Sequence, residues 1–187
     1  RSYYGSMTDT AFETFLPVNI DLSDEDGGGS TALMLLIDSS SSMTGTPFSL
    51  AKQGAINCVN ALGDSDYIGI ISFATNATVV SDLTSAKNRD KVISAISGLS
   101  NTRGTNLYDA VVEAYSQLKT SDAETRHVII LSDGSPQDSG YESVIKSMYA
   151  AGITTSTIEI AGSTGSGGMG GGYSGNSAIM SSLASIG

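Results

Sequence analysis

Three short segments of the chain carry oxygen-bearing side chains that could bind a cation. Asp38, Ser40 and Ser42 occupy alternate positions just after an apolar run, so in a turn their three oxygens can converge on one point. Thr105 opens a strongly amphipathic helical pattern, and Asp133 comes at the end of another apolar run. Hydroxyl and carboxylate oxygens are hard ligands for divalent cations. The sequence therefore offers such ligands in three separate segments.

The same side chains have an alternative structural explanation, because serine, threonine and aspartate are favoured at helix N-caps. Asp38, Ser40 and Ser42 could cap a helix that starts after them. Thr105 could cap the helix that follows it, and Asp133 could be a turn residue before a glycine. Capping would make the occurrence of all three segments a coincidence, so we favour the cation site.

The elements that must position these segments follow from the hydrophobic pattern. Apolar runs predict strands covered on both faces at residues 33–37, 67–73, 127–131 and 153–160. Helical periods lie between them at residues 50–62, with Leu50 on the buried face, and at 92–99, 107–118 and 144–148. Together they predict a doubly wound α/β fold, with a mostly parallel sheet, helices on both faces and one short antiparallel edge strand near residues 77–81. In such folds ligands bind at the carboxyl edge of the sheet, where the loops carrying Asp38 and Asp133 should meet.

In this order and spacing, the three segments resemble the metal-ion-dependent adhesion site (MIDAS) of von Willebrand factor type A domains. The family pattern is DxSxS, then a threonine, then an aspartate, and the match is close from residue 33 to about residue 140. The resemblance implies a Rossmann-like fold in which the hydroxyls of Ser40, Ser42 and Thr105 bind the metal. It also implies that Asp38 and Asp133 bind it directly or through water. A glutamate or aspartate of a partner protein would complete the coordination shell.

The resemblance also bears on which metal is bound and how many ions there are. Magnesium fits a shell of six oxygens that retains waters; manganese would fit the same cage, and calcium stays open as an alternative. Integrin-type relatives hold a second cation with acidic residues just after the first segment. Residues 43–46 contain none, so we predict a single ion. Ser41 departs from the family, since many relatives have glycine there.

The predicted function is divalent-cation-dependent protein binding, as in cell adhesion, and we predict that the chain is not an enzyme. The alternative is a metal-dependent hydrolase in which the cation activates a water molecule. That reaction needs a general base within reach of the water. The candidate loops supply only carboxylates for this role: Asp38, Asp109, Asp133 and Asp138. Of these, Asp109 is better explained by its favourable interaction with a helix dipole.

Composition and net charge limit which partners the chain can bind and which other sites it can form. With 187 residues, 40% of them hydrophobic, the chain can form one sizeable core. A net charge of −10 disfavours nucleic acid and anionic lipid as partners. Cys58 is the only cysteine, and we expect it to be a small buried hydrophobe; His127 is the only histidine, and we expect a structural or surface role. No apolar run reaches the roughly 20 residues needed to span a bilayer, so no direct membrane insertion of this segment is expected.

We expect a lead-in at residues 1–30, containing an edge strand and an acidic, glycine-rich loop, followed by the A domain at residues 31–187. Residues 14–22 resemble the lead-in of bacterial membrane proteins that embed an A domain beside a glutamine-amidotransferase-like region. This implies a membrane-anchored parent, with the domain at the cell surface or in the periplasm. Family members end in a final strand, so either that strand is missing after the last helix, which is expected near residue 176, or the strand at 18–22 caps the sheet alone.

Overall fold

The computed structural model describes residues 29–134 and 138–160. The predictions of an edge strand in the lead-in, of a last helix near residue 176 and of a missing final strand concern residues outside those described. The boundary between a lead-in at 1–30 and a domain at 31–187 therefore stays a prediction.

The apolar runs form the centre of one five-stranded sheet. Its strands are β1 (Thr31–Asp38), β2 (Tyr67–Phe73), β3 (Ala77–Ser85), β4 (Thr125–Ser132) and β5 (Ile153–Glu159). They lie in the order β3-β2-β1-β4-β5. β1 pairs in parallel with β2 and β4, β4 pairs in parallel with β5, and only β2 and β3 are antiparallel. The predicted doubly wound, mostly parallel α/β fold is confirmed.

The antiparallel strand is longer than predicted, because β3 continues to Ser85 rather than ending near residue 81. It is an edge strand whose side chains are mostly half-buried or exposed, and its pairing with β2 shifts register twice near Ile70. A partly exposed strand tolerates polar residues such as Asp82 and Thr84, so its second half shows no clear alternation of apolar residues.

Helices cover both faces of the sheet. They are α1 (Thr46–Ala61), α2 (Arg89–Ser97), α3 (Leu107–Leu118) and α4 (Tyr141–Ala150), with short 3-10 turns at Ser41–Met43 and Ala86–Asn88. Side chains of β1 alternate between the faces: Met34 and Leu36 pack with α3 and α4, whereas Leu35 and Ile37 pack with α1 and α2. Each face of the sheet therefore has its own apolar core.

One predicted core residue is wrong. Leu50 is 52% exposed, and the buried side of α1 is formed instead by Phe48, Ala51, Ala55 and Val59. The other predicted positions, Ala55, Val59 and Leu62, are buried. Leu50 lies five residues before Ala55 and so falls off their stripe, whereas Ala51, four residues before Ala55, lies on it.

The single cysteine and the single histidine are both buried. Cys58 belongs to the core between the sheet and α1, and burial raises the pKa of its thiol to about 11, which confirms the expected apolar role. The Nδ1 atom of His127 lies 2.6 Å from the Thr154 hydroxyl, and burial lowers the pKa of the imidazole to about 4. Both observations agree with a structural role for His127. None of the helices in the described part of the chain is long and apolar enough to span a membrane.

Candidate metal centre

Asp38 is the last residue of β1, and its carboxylate is held in place by two loops. Its Oδ1 atom accepts a hydrogen bond from the backbone N–H of Ser40 at 2.8 Å. Its Oδ2 atom accepts one from the hydroxyl of Ser132, at the end of β4, at 2.6 Å. Because β1 and β4 are parallel neighbours, their carboxyl ends meet, and this carboxylate joins the first and third of the predicted ligand segments.

The hydroxyls of Ser40 and Ser42 face each other, with their Oγ atoms 2.9 Å apart. Ser40 occupies the N-cap position of the 3-10 turn, yet its side chain makes no capping hydrogen bond. The N-cap of α1 is Gly45, which has no side chain to cap with. The capping explanation for this segment is therefore wrong, and two serine oxygens are brought together beside Asp38.

Asp133 follows β4 directly, and its Oδ1 atom is buried without a hydrogen-bond partner among the described residues. Burial raises the pKa of the Asp38 carboxyl; hydrogen bonds from Ser132 and Ser40 oppose this shift, and the negative charge of Asp133 adds to it. The two carboxylates are thus close enough to repel each other. A buried carboxylate oxygen without a donor is unfavourable, and a cation between the two groups would relieve both effects.

Thr105 is buried in the segment between α2 and α3. The side chain of Asn106, rather than that of Thr105, caps α3: its Oδ1 atom accepts from the backbone N–H of Asp109 at 3.2 Å. The carboxylate of Asp109 accepts in return from Asn106 Nδ2 at 2.9 Å. The capping explanation for Thr105 is therefore wrong as well.

Hydrogen bonds on both sides of Thr105 hold its segment against the carboxyl edge of the sheet. The backbone N–H of Thr102 donates to the Ser39 carbonyl at 2.7 Å, and that of Asn106 donates to the Ala74 carbonyl at 2.6 Å. Ser39 and Ala74 directly follow β1 and β2. The second predicted ligand segment therefore lies at the same edge as the other two.

Asn101 is a positioning residue that the sequence did not reveal. Its Nδ2 atom lies 3.1 Å from the Ser40 carbonyl and 3.4 Å from the Ser39 carbonyl, across 61 and 62 residues of sequence. It joins the Thr105 segment to the turn that carries Ser40 and Ser42. An asparagine in a polar loop is common, and nothing in the sequence around Asn101 indicates that its side chain bonds a backbone carbonyl so far away in the chain.

Asp138 also has a structural role that the sequence did not show. Its carboxylate accepts hydrogen bonds from the backbone N–H groups of Leu107, at 3.1 Å, and Tyr108. These are the first residues of α3, so Asp138 satisfies unpaired donors and complements the helix dipole. It therefore ties the loop after β4 to the start of α3.

Few carboxylates converge at this edge. Within residues 29–134 and 138–160, no group of three or more histidine, cysteine, aspartate or glutamate side chains is placed to hold a metal. The predicted ligand set is not a group of that kind, because three of its five side chains, Ser40, Ser42 and Thr105, contribute hydroxyl oxygens. Such a set suits a hard cation that keeps part of its hydration shell.

The sequence matches the von Willebrand factor type A domain over residues 32–186, so the chain belongs to that family. Domains of this family are generally protein-interaction modules rather than enzymes. The human inter-alpha-trypsin inhibitor heavy chain H4 is 31% identical over 114 residues, which cover 56% of this chain and 12% of that protein. The chain thus spans a small part of the curated relatives it matches, 12% and 24% of their lengths.

Solved structures share the fold at low sequence identity. An aerotolerance-related membrane protein from Bacteroides fragilis aligns with a TM-score of 0.67 and 18% identity, covering 85% of this chain and 88% of that one. Proximal thread matrix protein 1 from the mussel byssus, whose MIDAS motif is occupied by zinc, aligns with a TM-score of 0.61 and 20% identity, covering 70% and 35%. These similarities establish the fold.

Proposed function

We propose that this domain is a divalent-cation-dependent protein-binding module. Its metal is held by the hydroxyls of Ser40, Ser42 and Thr105, together with Asp38 and Asp133 directly or through water. A carboxylate from a partner protein, or from another domain of the same parent, completes the shell. The metal and the partner's acid group bind together at the carboxyl edge of the sheet.

The observation that carries this proposal is the buried Oδ1 atom of Asp133, which has no donor among the described residues although Asp38 lies close by. On the side of Asp38, whose carboxylate accepts from the Ser40 backbone, the hydroxyls of Ser40 and Ser42 are paired with each other. Two neighbouring carboxylates, one with a buried oxygen that accepts no hydrogen bond from a described residue, are poorly compensated, whereas a divalent ion bound by them and by the hydroxyls satisfies both.

The same donor set explains why the metal would bind an external acid. Hydroxyls are neutral, and carboxylates that act through water screen the ion only partly, so a small dication keeps net positive charge at its open position. Magnesium is the proposed ion, with manganese and calcium as substitutes. The zinc held by the mussel protein adds zinc to the ions worth testing.

The hydrolase alternative gains no support from the side chains at the site. Asp138 and Asp109 are engaged at the start of α3, where they bond backbone and side-chain donors. His127 is the third residue of β4, five positions before Ser132, which places the imidazole about 16 Å from the site at 3.3 Å per residue. The imidazole is therefore too distant to take a proton from a metal-bound water.

We further propose that the domain lies outside the cytoplasm in a membrane-anchored parent. The support is the likeness of residues 14–22 to the lead-in of bacterial membrane proteins that embed such a domain. Protease treatment of spheroplasts, in which the periplasm is open and the inner membrane intact, tests this: the domain should be degraded while a cytoplasmic marker is not, and its protection until the inner membrane is lysed would contradict the proposal.

Metal binding is tested by thermal unfolding of the chain with magnesium, manganese, calcium or zinc, each against chelator. A ligand that binds only the native state at a hundredfold excess over its Kd stabilises it by about 2.7 kcal/mol. Asp133→Ala and Ser42→Ala should lose most of this response. Asp122→Ala, an exposed aspartate at the amino end of β4, should keep it. A chain that ignores all four ions would contradict the proposal.

A further inference from the structure

The rim of the proposed metal centre carries an exposed cation, Arg103. It stands two residues before Thr105, in the segment between α2 and α3. Among the described residues it is the only lysine or arginine in the loops at the carboxyl edge of the sheet. The chain as a whole is strongly acidic, with a net charge of −10, so a positive charge at this edge is set against the sign of the molecule.

The backbone of Arg103 is fixed by neighbouring residues. Its carbonyl accepts a hydrogen bond from the hydroxyl of Thr75, and Thr102 before it is bonded to Ser39. Gly104 after it has a φ of 84°, and a Cβ atom there would lie 2.7 to 3.0 Å from Thr75. The arginine side chain therefore extends from a well-defined point beside the proposed metal.

The charge of Arg103 is not neutralised by another described residue. The one ion pair within the described part of the chain joins Arg89 to Asp64, at the opposite end of the sheet. Lys52, on α1, directs its Nζ atom to the carbonyls of Ser97 and Leu99, at 3.2 Å each. Arg103 thus has no carboxylate partner within these residues, and its guanidinium is exposed.

We infer that Arg103 selects partners in which a second acidic side chain lies near the carboxylate bound by the metal. The inference rests on the proposed function and names the chemistry of the partner, an acidic protein segment with at least two carboxylates. Guanidinium binds carboxylate through two parallel hydrogen bonds, which lysine cannot reproduce. It also lowers the repulsion that an acidic chain exerts on an acidic partner.

The test uses the full chain with saturating magnesium at low ionic strength, titrated by NMR with glycine-serine peptides. One peptide carries a single glutamate, and the others carry a second glutamate one to three positions further on, with glutamine there as the control. We expect at least one double-glutamate peptide to bind about two- to fivefold tighter than its glutamine control, as for an exposed ion pair. That gain should vanish in Arg103→Glu, shrink in Arg103→Lys, and fall with added salt.

Lys91→Glu is the matched variant, since Lys91 is exposed near the start of α2, at the far end of the sheet, and the charge change is the same. It should keep the gain. An equal gain in Arg103→Glu, equal losses in both variants, or no gain in the unaltered chain would overturn the role of Arg103. Failure of the single-glutamate peptide to bind in magnesium would instead refute the proposed function, and the inference with it.

Discussion

Replacing Asn101 tests whether the Thr105 segment must be held against the serine turn for metal to bind. Asn101→Ala removes two hydrogen bonds, from Nδ2 to the carbonyls of Ser40 and Ser39, at 3.1 and 3.4 Å. Each such bond stabilises by about 0.5–1.5 kcal/mol. The second is long, so we take about 1–2 kcal/mol for both. If the metal must then order the two segments itself, its affinity falls roughly 5- to 30-fold.

Isothermal titration of the metal-free chain with magnesium or manganese measures this loss. Asn57→Ala is the control, because Asn57 is an exposed asparagine on α1 whose side chain accepts a hydrogen bond from Gln53, away from the site. Thermal unfolding in chelator measures the stability of both variants without metal. An Asn101→Ala chain that is less stable but binds metal as tightly as the unaltered chain would refute the positioning role.

Three further predictions concern single residues. Burial raises the pKa of Asp38, so the folded, metal-free chain holds this proton more tightly than the unfolded chain, and the contribution of Asp38 to stability falls as the pH rises from about 4 through the folded pKa. Thermal unfolding should show that Asp38→Asn flattens this pH dependence in chelator and loses the response to magnesium. Gly104→Ala should destabilise the chain by about 1–3 kcal/mol in urea unfolding, because of the positive φ and the close backbone of Thr75, and an unchanged midpoint would contradict this geometry. Cys58, buried and with a thiol pKa of about 11, should react with iodoacetamide at neutral pH only after unfolding, and rapid labelling of the native chain would show that α1 opens readily.

The sequence predicts the sheet well wherever strands are buried on both faces. Leu33 to Ile37 form an unbroken apolar run because both cores of the domain need side chains from β1. The edge strand β3 lacks this constraint, and its second half was missed for that reason. Leu50 was misplaced because it lies five residues before Ala55, whereas the buried face of α1 continues through Ala51, whose small side chain gives a weaker hydrophobic signal than leucine.

The candidate site is predictable only in part, because some of its residues are positioned by strands and others by contacts with distant backbone groups. Side chains that follow buried strands, such as Asp38 and Asp133, are located by the strands themselves. Asn101 and Asp138 act on backbone groups of distant segments, and a backbone partner leaves no mark in the sequence of either segment. Their roles depend on how three loops pack, which a pattern of residue types does not specify.

A crystal structure of the chain with manganese, located by its anomalous scattering, shows directly which oxygens bind the ion. We expect one ion bound by the hydroxyl oxygens of Ser40, Ser42 and Thr105, at the roughly 2.0–2.2 Å typical of small dications, with Asp133 bonded to it or to one of its waters. An ion bound elsewhere, or a Thr105 hydroxyl that points away from Ser40 and Ser42, would contradict the proposal.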